Sequence, residues 1–190
     1  MNGLKASILR FLSERTLPSL RRMWVSRQPL TWLLALIIGI IGAYAILAFR
    51  WLIGQVQNIW LGSVHENVVA TLAGNREPWV VLLALMGGGL VVGLMVQFLT
   101  TTKRSQGIAD VIEARAIRGS NIPLRDGLAS AVISAVSLGA GASAGREGPA
   151  VHLGAALASF LERQFNLPAA TRRVLLACGA AAAVSASFNA

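Results

Sequence analysis

Charge is scarce in this chain. Only 13% of its 190 residues are Asp, Glu, Lys or Arg, and just 8 of them are acidic. With 55% hydrophobic residues and a mean hydropathy of +0.62, that scarcity excludes an ordinary soluble domain. Cysteine is almost missing. Cys178 stands alone within Leu175-Leu176-Ala177-Cys178-Gly179-Ala180, so an intrachain disulfide is impossible and the thiol reads as a small packing residue. Histidine is limited to His65 and His152. His65 lies in a polar stretch without partners at metal-ligand spacing, and there is no zinc pattern, P-loop or nucleophile elbow. These gaps leave no catalytic constellation, no metal site and no cofactor site, and no enzyme is expected.

What the chain does have is long apolar segments and a basic leading end. Lys5, Arg10, Arg15, Arg21, Arg22 and Arg27 precede the first apolar run, against the single acid Glu14. A basic surplus of +9 elsewhere would suggest nucleic acid. Here the basic block abuts a membrane span, so the positive-inside rule explains it better and puts the N-terminus in the cytoplasm. Residues 1–28 place Leu4, Ile8 and Leu12 against Lys5, Arg10 and Arg15. That pattern fits either an amphipathic helix on the cytoplasmic surface or a disordered basic tail, and Pro18 would end such a helix.

Pro29 to Phe49 carries no charge; after Arg50 the run resumes from Trp51 to Ser63. As one helix it exceeds the roughly 20 residues that cross a bilayer, so it tilts or projects. Its start and length rule out a cleaved signal peptide. Trp32, Trp51 and Trp60 suit interfacial anchoring. Residues 63–77 read as a polar outer loop, and Pro78 to Thr102 as a second full-length span. Gly87, Gly88, Gly89 and Gly93 within it permit close helix packing in lipid. Lys103 and Arg104 return the chain to the cytoplasm by the same charge rule.

Beyond this point the apolar runs shorten: Ile108 to Arg118, Gly127 to Gly145, Gly148 to Phe160 and Val174 to Ala190. Runs of this kind predict partial-span helices, or helices buried among others. Asp110 and Glu113 lie one turn apart and read as edge charges rather than an acid–base pair. His152 follows Glu147 by five residues, off its face, and reads as a packing histidine.

Gly145-Arg146-Glu147-Gly148-Pro149 is the most informative stretch. Pro149 fits the first turn of a helix, where its missing N–H costs nothing. The glycines allow close backbone approach, and free amides at the helix start form an anion site. An ionisable residue at such a place in a membrane protein is a functional candidate. The run Gly145 to Ala155 resembles the signature of the CLC family of chloride channels and chloride/proton exchangers. Gly179 to Ala190 is similar to that family's GAAAGLAAAFNAP run.

The resemblance implies an all-α, polytopic membrane fold of tilted and partial-span helices, with residues 29–190 forming the N-terminal part of the transport domain, an incomplete first inverted repeat. It makes Glu147 the gating and proton-accepting glutamate, and Gly148 part of the anion site. Arg146 counts with that site as a loop anchor or charge balance rather than a direct contact. The family's G-S-G-I-P element has its counterpart in Ser105, Gln106, Gly107, Ile108 and Ala109. Gly107 and Ile108 agree with it. Gln106 takes the place of the coordinating serine, Ser105 falls one position early, and Ala109 replaces proline. The anion would then rest on a Gln106 side-chain donor, on a shifted Ser105, or on backbone amides alone.

The resemblance covers less than half of a CLC transport domain, so the chain is expected to be a fragment. The G-x-F-x-P helix start, the coordinating tyrosine, the inner proton-transfer glutamate and the principal dimer-interface helices would follow Ala190. The implied function is chloride transport, as chloride/proton antiport gated by Glu147 or as a passive gated channel. The implied setting is a homodimer in a bacterial inner membrane, with chloride, protons and the lipid bilayer as partners. Pro149 argues against fluoride-selective relatives. A competing reading, a non-transporting membrane scaffold, explains the small residues but not the two special helix starts.

Overall fold

Uncharged runs bounded by proline and glycine set the helices of this chain. The computed structural model describes residues 28–64, 69–165 and 167–188. The basic segment 1–27, whether surface helix or tail, lies outside the described residues. Seven helices make up the described chain, with no strand among the described residues: α1 Gln28–Leu61, α2 Val69–Gly74, α3 Pro78–Leu99, α4 Ile108–Ala116, α5 Leu124–Gly139, α6 Glu147–Gln164 and α7 Ala169–Phe188. The fold is all-α, as the sequence predicts.

Three of these helices, α1, α3 and α7, are long and apolar enough to cross a membrane. The 34 residues of α1 run on through Arg50 and give a rod of about 51 Å, well beyond a hydrocarbon core of about 30 Å. Pro78 opens α3 at a position that needs no N–H donor, and Thr100, whose hydroxyl donates to the Val96 carbonyl at 2.7 Å, closes it in extended conformation. Nothing on α3 is buried within the chain; Trp79, Met86 and Phe98 are all exposed. A helix apolar on every side suits lipid or further protein.

Two sequence expectations need correction. The polar stretch 63–77 is not all loop, because Val69-Ala70-Thr71-Leu72-Ala73-Gly74 forms the short α2. The last segment is not a short partial helix either. It begins at Ala169, before Arg172 and Arg173, and its 20 residues reach spanning length. An uncharged run marks where charge stops, not where a helix stops; arginines in a first turn extend it past the apolar boundary.

Contacts divide the chain between Ile37 and Ile38, and the packing that follows belongs to Ile38–Ala190. Within it α6 is the central element. On one side Ala150 and Leu153 pack with Ile46, Phe49 and Ile53 of α1, Ala131 and Ala135 of α5, and Ala183 of α7. On the other, Val151, Ala155 and Ala156 pack with Val111 and Ala114 of α4, Ile122, and Leu176 of α7. Alanine and glycine make this possible: a Cβ on Gly139 would stand 2.5 Å from the Val56 Cβ and 2.8 Å from the Ile53 carbonyl oxygen. A helix of modest hydropathy can be buried in this way because other helices cover it. His152, 1% exposed on α6, is inside this packing, in keeping with its reading as a core residue.

Candidate anion site at two helix starts

The first helix start is prepared by residues 104–110. Gly107 is extended (φ −153°, ψ −151°), and its N–H donates to Asp110 Oδ2 at 2.9 Å, closing the α4 start with a carboxylate from its own first turn. Arg104 grips the same carboxylate, Nη1 to Oδ2 at 3.1 Å and Nη2 to Oδ1 at 2.5 Å. Asp110 lies outside the three spanning helices. Burial alone would raise its carboxyl; the Arg104 and Gly107 hydrogen bonds outweigh that and hold it below the ordinary carboxylate range. Glu113 has its own arginine, Arg118, at 2.7 Å. The two carboxylates of α4 are therefore separately paired, which fits a structural role rather than shared acid–base chemistry.

Ser130 of α5, 1% exposed, fixes the segment that leads into α4. Its Oγ accepts from the Gln106 N–H at 3.2 Å and donates to the Gln106 carbonyl at 2.8 Å, and Ser105 Oγ lies 3.3 Å away. The Gln106 side chain turns back, its Nε2 reaching Thr102 Oγ1 at 3.5 Å. Ser105 and Gln106 thus direct their polar side-chain atoms to neighbours within the fold. The amides from Ile108 onward open the helix, where no preceding turn supplies a carbonyl.

The second start is α6. Arg146 precedes it in helical conformation (φ −81°, ψ −14°) with no side-chain cap, and the Ala150 N–H is the one that closes on the Arg146 carbonyl, at 3.2 Å. The Glu147 and Gly148 amides lie ahead of that bond, and Pro149 has none to offer. The Glu147 carboxylate folds over Gly145, so that a Cβ on Gly145 would stand 2.7 Å from Glu147 Oε2. Glu147 and Arg146 line a hollow of about 270 Å³ with Ile53, Leu138, Ala144 and Gly145. No α4 residue is among its walls.

The two starts nonetheless meet. A Cβ on Gly107 would lie 4.0 Å from Gly148 Cα, and the space beside Gly148 on its own Cβ side is open. The fold therefore brings Gly107 and Gly148 together, with the Ser105 hydroxyl beside Ser130, Gln106 Nε2 at Thr102 and the Glu147 carboxylate over Gly145. Two helix N-termini brought this close add their partial positive charges and unpaired N–H groups in one region. Ser130 escaped the sequence reading. It is one small residue in a run of alanines and serines, and nothing local distinguishes it from Ser134 or Ser137.

Comparison with known proteins bears on this arrangement. The sequence model of the voltage gated chloride channel family matches residues 88–190, from within α3 to the final residue. A ClcB-like chloride channel protein of Ralstonia nicotianae is 37% identical over 158 residues, 81% of this chain and 36% of its own length. Proteins named voltage-gated ClC-type chloride channel ClcB are similar too. That of Escherichia coli strain ED1a is 31% identical over 160 residues, and that of strain K12/DH10B is 30% identical; each match covers 83% of this chain and 38% of the relative. The chain thus spans little more than a third of the length of these relatives. No solved structure matches the chain significantly.

Proposed function

Since the chain belongs to the voltage gated chloride channel family of integral membrane proteins, we propose that it contributes the N-terminal part of a chloride path across a bilayer, with the anion held where the α4 and α6 starts converge. The approach of Gly107 to Gly148 carries this reading. The α4 start, from Ile108 onward, and the α6 start, at Glu147 and Gly148, present backbone amide donors without a fixed lysine beside them. Weak, multiple donors bind a halide and still release it, which transit requires.

Of the three ways the family's serine could be replaced, backbone amides alone fit best. The Ser105 and Gln106 side chains have partners inside the fold, Ser130 and Thr102. Asp110 reduces the attraction of the α4 start, and Arg104 restores the balance. In the proposed mechanism Glu147 gates the path. Ionised, its carboxylate competes with the anion at the α6 start; protonated, it withdraws and the anion enters. Coupling of that proton to chloride makes the protein a chloride/proton antiporter. The proposed setting is a homodimer in a bacterial inner membrane with residues 1–28 on the cytoplasmic side. A site assembled from inverted repeats needs both halves, so residues 1–190 alone should not conduct.

Chloride and proton fluxes from liposomes holding the full-length protein test this. Uphill proton movement driven by a chloride gradient is expected, and Glu147→Gln should abolish it. Chloride flux without proton movement would assign a passive channel. Absence of selective chloride flux would favour a scaffold and sink the proposal.

A further inference from the structure

A second basic hollow lies at the opposite end of α6 from Glu147. Its volume is about 390 Å³, and three segments wall it: the loop after α4 with Arg118 and Ser120, the end of α6 with Ser159, Glu162 and Arg163, and the first turn of α7 with Arg172. Three polar atoms of the residues that line it are buried without a hydrogen-bond partner: Ser120 Oγ, Glu162 Oε1 and Arg172 Nε. Ser120 and Glu162 are each only 2% exposed. Buried polar groups are nearly always paired, so three orphans on residues that wall one hollow make it a candidate binding site. Ser159 is not one of them, since its Oγ accepts the Ile122 N–H at 3.0 Å.

The donor set indicates what the ligand is. Arg118 shares its guanidinium with Glu113, while Glu162 is the one acid lining the hollow with Arg163 and Arg172 among the described residues. Burial pushes the Glu162 carboxyl up to about 8, against the pull of Arg172 and Arg163, so near neutral pH it is a neutral O–H donor. The hollow then holds a clear positive surplus. Guanidinium forks match the oxygens of carboxylate and phosphate far better than a spherical halide. Arginines reaching in from three separate segments suit a group with more than two oxygens.

We propose that this hollow binds a tetrahedral oxyanion, a phosphate group, through the Arg118, Arg163 and Arg172 guanidiniums and the Ser120 hydroxyl. The site is separate from the chloride path. Its ligand is either a free phosphate or the headgroup of an anionic lipid. Protonated Glu162 donates to the bound group; ionised Glu162 repels it.

Calorimetric titration of the full-length protein in neutral detergent with sodium sulfate, at fixed chloride and ionic strength, tests the proposal. Sulfate keeps its charge between pH 6.5 and 9, so any pH effect belongs to the protein. One saturable site is expected at pH 6.5, weakened at least tenfold by Arg172→Gln and by Arg163→Gln. Arg163 is exposed, so its substitution leaves the fold intact even where Arg172→Gln does not. Binding should weaken at pH 9, and Glu162→Gln should remove that weakening; the other charged groups that wall the hollow are Arg118, Arg163 and Arg172. Displacement of sulfate by soluble dioctanoyl phosphatidic acid would assign the lipid headgroup, and failure to displace it the free oxyanion. No saturable sulfate binding, or binding indifferent to both arginine substitutions, overturns the proposal.

Discussion

Gly154 and Gly179 meet backbone to backbone. A Cβ on Gly179 would stand 2.5 Å from the Gly154 carbonyl oxygen, and a Cβ on Gly154 would likewise collide with the Gly179 carbonyl oxygen. No side chain separates α6 from α7 at this point. Small residues that let helix backbones touch are a recurrent means of packing in membranes, where hydrophobicity alone does not drive helices together. The crossing holds α6, the central helix, and with it the Glu147 and Gly148 start.

Gly179→Ala should therefore separate α6 from α7. The clash is with backbone, which cannot rotate away, and overpacking of this kind costs about 1–3 kcal/mol. A lower melting temperature in detergent is expected for the full-length protein. Gly148→Ala is the control, because its Cβ would meet nothing within 4 Å and should leave the melt unchanged. Equal melts for the two variants would mean that the helices do not cross at this glycine pair.

Ser130→Ala should damage the α4 start from a distance. It removes one hydroxyl that serves both the N–H and the carbonyl of Gln106 in a buried setting. An orphaned buried backbone group costs about 1–3 kcal/mol. Reduced stability is expected together with reduced chloride affinity, since the loop that aims α4 loses its anchor. Ser134→Ala, also on α5, has no such bond and should preserve affinity. Loss of affinity in both variants would point to general damage to α5 instead.

The helices were largely legible in sequence because apolar runs, prolines and glycines punctuate them. Pro78 marks the start of α3, and the long uncharged reach around Arg50 becomes one helix, but α5 runs from Leu124 to Gly139 rather than over the uncharged run Gly127 to Gly145, because Arg125 and Asp126 stand in its first turn. Glu147-Gly148-Pro149 announced a helix start through residue types that serve no other purpose together. Its meeting with Gly107 was not legible, because 41 positions of chain and two turns of direction separate them. Nor was the direction of Gln106, whose side chain could donate outward or fold back toward Thr102 with equal local propriety. The limits of α7 were missed because Arg172 and Arg173 masked its first turn.

Asp110 should make stability depend on acid. Its carboxyl is held below the ordinary range in the fold, so its contribution is present above the unfolded value of about 3.9 and is lost as pH falls through the lower folded one. The melting temperature of the wild type should drop across that acidic window. Asp110→Asn should start lower at pH 7 and show less of the drop. An unchanged acid profile in Asp110→Asn would assign the transition to other carboxylates.

Gly107→Ala probes the convergence itself. The new methyl would stand 4.0 Å from Gly148 Cα, an ordinary van der Waals contact, so the fold should survive with its melt intact. What changes is the space between the helix starts, where the proposed anion meets the amides. A methyl there both occupies room and shields the donors, and each loss weakens binding in the path. Chloride flux through the full-length protein should fall about tenfold or more, the equivalent of about 1.4 kcal/mol. Gly107→Ser should recover part of it, because its hydroxyl returns a donor where the methyl offers none. Wild-type flux in both variants, with stability retained, would mean that chloride does not pass between Gly107 and Gly148.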